Sequence, residues 1–177
     1  MPSSLFFPIA EGGFRPSIDV VHQKIHEGLH FTSSTPVTLA AASAVNVLIT
    51  APADGIYHFT ASVETDAAAT ITFSKAPNAT TSGASVITTY NNNENSANVN
   101  TLAHTYLGTY TSSGTILLTS YVGAATGNPG NPFTIGGNSQ GRNEIEFAPS
   151  SVHLIRVLAG AATCRTVINT YMYREEA

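Results

Sequence analysis

The stretch VNVLITAPADGIYHFTASV, residues 45–63, decides how the chain folds. Residues 45–50 and 56–63 are rich in β-branched and aromatic side chains, the composition that strands favour. Between them Pro52 ends the first run, and Asp54-Gly55 is a tight-turn signal because glycine accepts a positive φ. The stretch predicts two strands joined by a hairpin or a tight turn.

Outward from it the same texture recurs. TITFSK (70–75), SVITTY (85–90), VNTLAHTYLGTY (99–110) and TILLTSYV (115–122) read as strands. After a Gly/Asn/Pro-rich loop at 123–141 come NEIEF, SVHLIRVL and RTVINTYMY. Several runs are spaced by about ten residues, as in an all-β sandwich or barrel. The only helical period is at 18–29, where Ile18, Val21, Ile25 and Leu29 recur every three to four residues. It runs out at Gly28 and the TSSTP that follows, about three turns in all. The expectation is an all-β fold: a β-sandwich or jelly roll with an extended N-terminal arm and at most one short helix. The arm spans 1–17 and a single sandwich domain spans 18–177.

Only 10% of the 177 residues are charged, 42% are hydrophobic, and the net charge is −4. This is a folded chain with a polar, weakly charged surface, suited to neutral contacts in a large assembly rather than to steering a charged ligand. Its seven basic residues are scattered, so no nucleic-acid partner is expected. The single cysteine, Cys164, leaves no disulfide framework and no Cys-rich zinc site; packing as a small hydrophobe is its expected role. The apolar N-terminus lacks the basic n-region of a signal peptide, and no run is long enough to span a membrane, so no membrane partner is expected. Leu5, Phe6, Phe7 and Phe14 in the arm have no periodicity, and they read as anchors on a neighbouring subunit or partner.

Two motifs suggest chemistry. His26-Glu27-Gly28-Leu29-His30 matches HExxH, with His22 one helical turn upstream. A zinc-protease site needs both histidines on consecutive turns of a rigid helix, the glutamate as base, and a third ligand elsewhere. Gly28 inside the motif weakens a helix by about 1 kcal/mol relative to alanine, and the pattern then breaks. At four-residue spacing His22, His26 and His30 could line one helix face and bind metal, for instance across a symmetry axis; they are read first as contact residues beside an apolar face, not as metal ligands. Gly137-Asn138-Ser139-Gln140-Gly141 matches GxSxG, but it lies in the loop with a strand-like run after it, where a nucleophile elbow needs a helix. His58, His104 and His153 lie in strand-like runs and are explained by cross-strand packing. The Asn-rich segment NNNENSANVN (91–100) suits Asx turns in a polar loop. No active site, metal or cofactor is expected.

The order of these pieces carries a resemblance. VHQKIHEGLHF, VLITAPADGIYHF, YNNNENSA, SYVG, a Gly-rich loop, NEIEF and a terminal TYMYREE together resemble a family of tailed-bacteriophage virion proteins, over about residues 18–175. The chain departs from that pattern in Glu94, with no basic residue in the Asn-rich loop, and in its longer arm. The resemblance implies a jelly-roll decoration (cement) protein on the capsid exterior of a virion, made in the host cytoplasm and without catalytic residues. Its partners would be the major capsid protein and its own copies, as a homotrimer or homodimer. A second, shorter resemblance, of DGIYHFTASV to the Gly-x-Tyr-x-Phe strand of C1q-like and TNF-like trimeric jelly rolls, implies instead a tail or fibre module that binds a host surface receptor.

Overall fold

The structure is a computed structural model that describes residues 20–53, 55–98, 104–122, 133–135 and 144–175. They form helix α1 (Val20–His26) and strands β1 (His30–Leu39), β2 (Ala44–Thr50), β3 (Ile56–Thr65), β4 (Ala69–Lys75), β5 (Asn78–Val86) and β6 (Tyr90–Asn91). The chain continues through β7 (His104–Ser112), β8 (Thr115–Val122), β9 (Phe133–Ile135), β10 (Ile145–Phe147), β11 (Val152–Ala159) and β12 (Cys164–Glu175). Two antiparallel sheets result, with strand orders β10-β3-β12-β1-β6, where β9 also pairs with β3, and β5-β7-β2-β11-β4-β8. The all-β sandwich with one short helix is thus what forms. The arm at 1–17, with Leu5, Phe6, Phe7 and Phe14, lies outside the described residues.

The pairings are nested. β1 pairs with β12, β2 with β11, β3 with β10 and β9, β4 with β8, and β5 with β7. The chain is therefore one long antiparallel ribbon, folded back near β6 and rolled up so that successive turns pair as β3 with β12 and β4 with β11. The first four strands alternate between the sheets, and this lets one ribbon supply both layers. Pairing Lys75 with Thr115 continues directly as Asn78 with Ser112, so β4/β8 and β5/β7 are one ribbon that bends between them. Gly114 sits at the bend with φ +69°, where a Cβ would lie 2.3 Å from the Lys75 carbonyl oxygen. Only glycine fits that approach.

Alternation along each strand fills the core. Tyr57, Phe59, Ala61 and Val63 of β3 point inward, and Ile71, Phe73, Ile155 and Val157 meet them from the opposite sheet. At the centre Phe59 stacks on Phe147 at 4.9 Å between centroids, and His153 stacks on Phe147 at 3.9 Å and Phe73 at 5.5 Å. Cys164 is fully buried, as a small hydrophobe would be, and burial pushes its thiol pKa up.

Three local expectations are corrected. β2 and β3 belong to different sheets, so the chain crosses from one layer to the other between them and does not turn back as a hairpin. Gly55 does not take a positive φ; a Cβ there would sit 2.9 Å from Arg174 Nε, so its bareness makes room for that side chain. The TSSTP read as a break lies inside β1, which pairs with β12 along ten residues. Ser33 and Thr35 face inward and are buried, and the Ser33 hydroxyl meets that of Thr170 at 2.6 Å, so polar side chains enter the core in satisfied pairs. Pro36 is tolerated because, among the described residues, β1 has no second neighbour beyond Thr32. Within the loop read at 123–141, residues 133–135 form the short strand β9.

Candidate functional site

The HExxH motif is divided by the fold. α1 ends at His26, and the chain closes it with the Leu29 N–H on the Lys24 carbonyl and the Gly28 N–H on the Ile25 carbonyl, both at 2.9 Å. That pair, with Gly28 at φ +68°, is a Schellman C-cap. His30 therefore opens β1, and the three histidines do not share a helix face as their four-residue spacing suggested. His22 and His26 remain exposed neighbours, with their Nε2 atoms 3.0 Å apart. Glu27 turns back to accept from Lys24 Nζ at 2.7 Å and Gln23 Nε2 at 2.8 Å; the Lys24 bond chiefly holds its carboxyl below the ordinary range. Among the described residues, no group of three or more His, Cys, Asp or Glu side chains is placed to hold a metal ion.

The Asn-rich loop has a definite task that composition alone did not reveal. A helix C-terminus leaves carbonyls without partners. Here Asn93 Nδ2 donates to the His26 carbonyl and Asn91 Nδ2 to that of Gly28, each at 3.0 Å, while Asn98 Nδ2 reaches the Gly28 carbonyl at 3.3 Å. The loop is held in turn by Asx turns, from Asn93 N–H to Asn91 Oδ1 and from Asn95 N–H to Asn93 Oδ1. The asparagines thus clamp the end of α1 onto the outer face of the first sheet.

Under that clamp lies the candidate site. Strand register places His30, Tyr173 and His58 side by side across β1, β12 and β3. All three point outward, away from the core. The His58 and Tyr173 rings stack at 4.6 Å and 4°, so the expected cross-strand packing of His58 is what forms. Glu144, just before β10, accepts from Tyr173 Oη at 2.5 Å and lies 3.1 Å from His58 Nδ1. With Val21, Thr60, Asn92 and Tyr171 these groups line a half-open cavity of about 290 Å³. His30 is 6% exposed and Tyr173 is 7% exposed, while Tyr171 stays 42% exposed. Burial lowers the His30 pKa, with Glu144 opposing, and so favours the neutral ring. Its Nδ1 is buried with no hydrogen-bond partner among the described residues.

A second surface feature is β8 (TILLTSYV), at the end of the second sheet. It has no charged residue, and Ile116, Leu117, Leu118 and Tyr121 are 52%, 41%, 40% and 82% exposed. GxSxG falls outside the described residues, and the first described element after it is strand β10, not a helix. Of the expected contact residues, His22 and His26 are exposed on α1 and His30 is buried in the cavity wall. Glu144, Tyr171, Tyr173 and Asn92 escaped sequence reasoning because only strand register brings them together. Comparison with known proteins found no matching family model, no matching curated protein and no matching solved structure.

Proposed function

We propose that the chain is a structural, non-enzymatic virion protein: a decoration protein that binds the outer surface of a phage head and stabilises it. The observation that carries the reading is β8. An uncharged edge strand with three aliphatic side chains and a tyrosine in solvent is a liability in a free monomer, and a neighbouring subunit removes it. The nested ribbon is also the wrapping of a jelly roll, which supports the sequence resemblance. Its neutral surface suits many weak contacts repeated about a symmetry axis, which yield avidity without one strong site. Contacts that form only on the mature lattice stabilise that lattice by mass action.

A second reading, a tail or fibre module that binds a host surface receptor, is favoured by the cavity with Tyr171 at its wall. One count separates the two. Quantitative mass spectrometry of purified virions is expected to find the chain at a simple ratio to the major capsid protein, such as one to one or one to three. A handful of copies per particle would move it to the tail, and absence from particles would end both readings.

A further inference from the structure

The histidines of α1 have no part in the function proposed above. His22 and His26 lie one turn apart, both exposed, with their Nε2 atoms 3.0 Å from each other. Such a pair is either a hydrogen bond or a chelating fork, and the ring geometry separates the two. A straight N–H···N bond of that length would hold the ring centroids about 5.3 Å apart. They are 4.5 Å apart, and the ring planes cross at 82°. The two nitrogens therefore face each other at a slant, not head-on.

That slant is what one shared ion requires. Two imidazole nitrogens about 2.1 Å from an ion, and at a right angle about it, lie about 3.0 Å apart with ring centroids about 4.6 Å apart. A tetrahedral ion would spread the same nitrogens to about 3.4 Å. The right-angled fit is that of the tetragonal ions copper(II) and nickel(II), for which imidazole is also a suitable donor.

The surroundings favour the same reading. Lys24, the cation of α1, is paired with Glu27 at 2.7 Å, so its charge is already offset. Asn93 Nδ2 donates to the His26 carbonyl at 3.0 Å, which ties the second ring's backbone to the Asn-rich loop instead of leaving it on a fraying helix end. Both rings are open to solvent, so an ion reaches them without any unfolding.

We propose that His22 and His26 form a bidentate site for copper(II) or nickel(II), bound through both Nε2 atoms, with the remaining positions of the ion filled from outside the chain. The site is carried by one helix of one chain, so it does not rest on the virion reading.

The test uses the full chain without an affinity tag, stripped with EDTA, dialysed, and titrated calorimetrically at pH 7 with copper(II) chloride and with nickel(II) chloride. One saturable site is expected. His22→Ala and His26→Ala should each weaken it at least tenfold, as the loss of one arm of a chelate does. Alanine is a better helix former than histidine, so neither variant endangers α1. His104→Ala, in β7 of the other sheet, should leave the affinity unchanged. Electron paramagnetic resonance of the copper form should show two imidazole nitrogens in the wild type and one in either variant. Sedimentation with and without nickel tells whether water or a second copy's pair completes the ion's shell, and either result supports the site. No saturable binding of either ion would overturn the proposal and leave the pair a bent hydrogen bond. So would binding that survives both substitutions, or a copper spectrum unchanged by them.

Discussion

Gly28 shows how much one residue decides. It sits in the left-handed region at φ +68°, and an added Cβ would lie 2.1 Å from Ser96 Oγ. Gly28→Ala is therefore expected to cost about 1–3 kcal/mol, from the conformation and from displacing the Asn-rich loop. A urea midpoint equal to wild type would contradict this, and Ser96→Gly in the same chain should restore part of the loss. His153 is the second case. Held between Phe147 and Phe73, it has its pKa lowered to about 4, by burial first and by Lys75 second. The folded pKa lies below the unfolded 6.5, so the folded state resists protonation. Its contribution is present in full above pH 6.5 and is lost as pH falls from 6.5 towards 4. The lost contribution is at most about 3 kcal/mol, and nearer 1–2 once residual solvent screening is allowed for. His30 titrates in the same direction. Urea titrations at pH 7 and pH 4.5 should therefore show His153→Gln losing less stability between the two than wild type loses; equal losses would remove His153 from the acid response.

At the scale of elements, α1 is the informative one. Seven residues make too short a helix to stand alone in water, so its persistence depends on what holds its ends. The Asn93 amide supplies a partner for its last carbonyl, at His26, and the Asn91 amide one for the Gly28 carbonyl in its cap, each net hydrogen bond being worth about 1 kcal/mol. Asn91→Ala and Asn93→Ala should raise amide hydrogen exchange in α1 and at residues 28–30, with exchange in β11 and β12 unchanged. An unaltered rate in α1 would mean that the helix is held from elsewhere. Periodicity at 18–29 placed this helix and overran its end at His26 by three residues. The same reasoning missed β1, because His30–Leu39 carries polar residues on its inward face, and only pairing with Thr170 makes a buried Ser33 acceptable.

At the scale of the molecule, the proposed decoration role makes one prediction for β8 and one for the N-terminal arm. Leu118→Glu with Ile116→Lys places charge on β8 and should shift sedimentation towards the monomer without changing the urea midpoint. An unchanged sedimentation coefficient would show that β8 is no subunit contact. Deleting residues 1–16 is expected to abolish capsid binding and leave the sandwich folded; retained binding would release Leu5, Phe6, Phe7 and Phe14 from the role of anchors. The core beneath tolerates less. Phe147→Ala removes the ring between Phe59 and His153 and should cost about 3–5 kcal/mol in equilibrium unfolding. A loss under 1 kcal/mol would mean that the stack collapses to fill the space.

Strands β2, β3, β4, β8, β11 and β12, and the end of the helix near Gly28, are legible in the sequence. Period-two burial at Tyr57, Phe59, Ala61 and Val63, the 3.6 period before Gly28, and the lack of charge are local properties, and local physics writes them along the chain. It also limited what the HExxH motif can be, because Gly28 is a poor helix residue wherever it stands. That the chain crosses between sheets from β2 to β3 belongs to the fold as a whole, since Asp-Gly signals a turn and says nothing of which sheet receives the next strand. The cavity belongs to the same category. His30, His58, Glu144 and Tyr173 lie up to 143 residues apart, and what joins them is the register of β1 on β12 and β12 on β3. Register is a sum over all the side chains of paired strands, and no single stretch of sequence contains it.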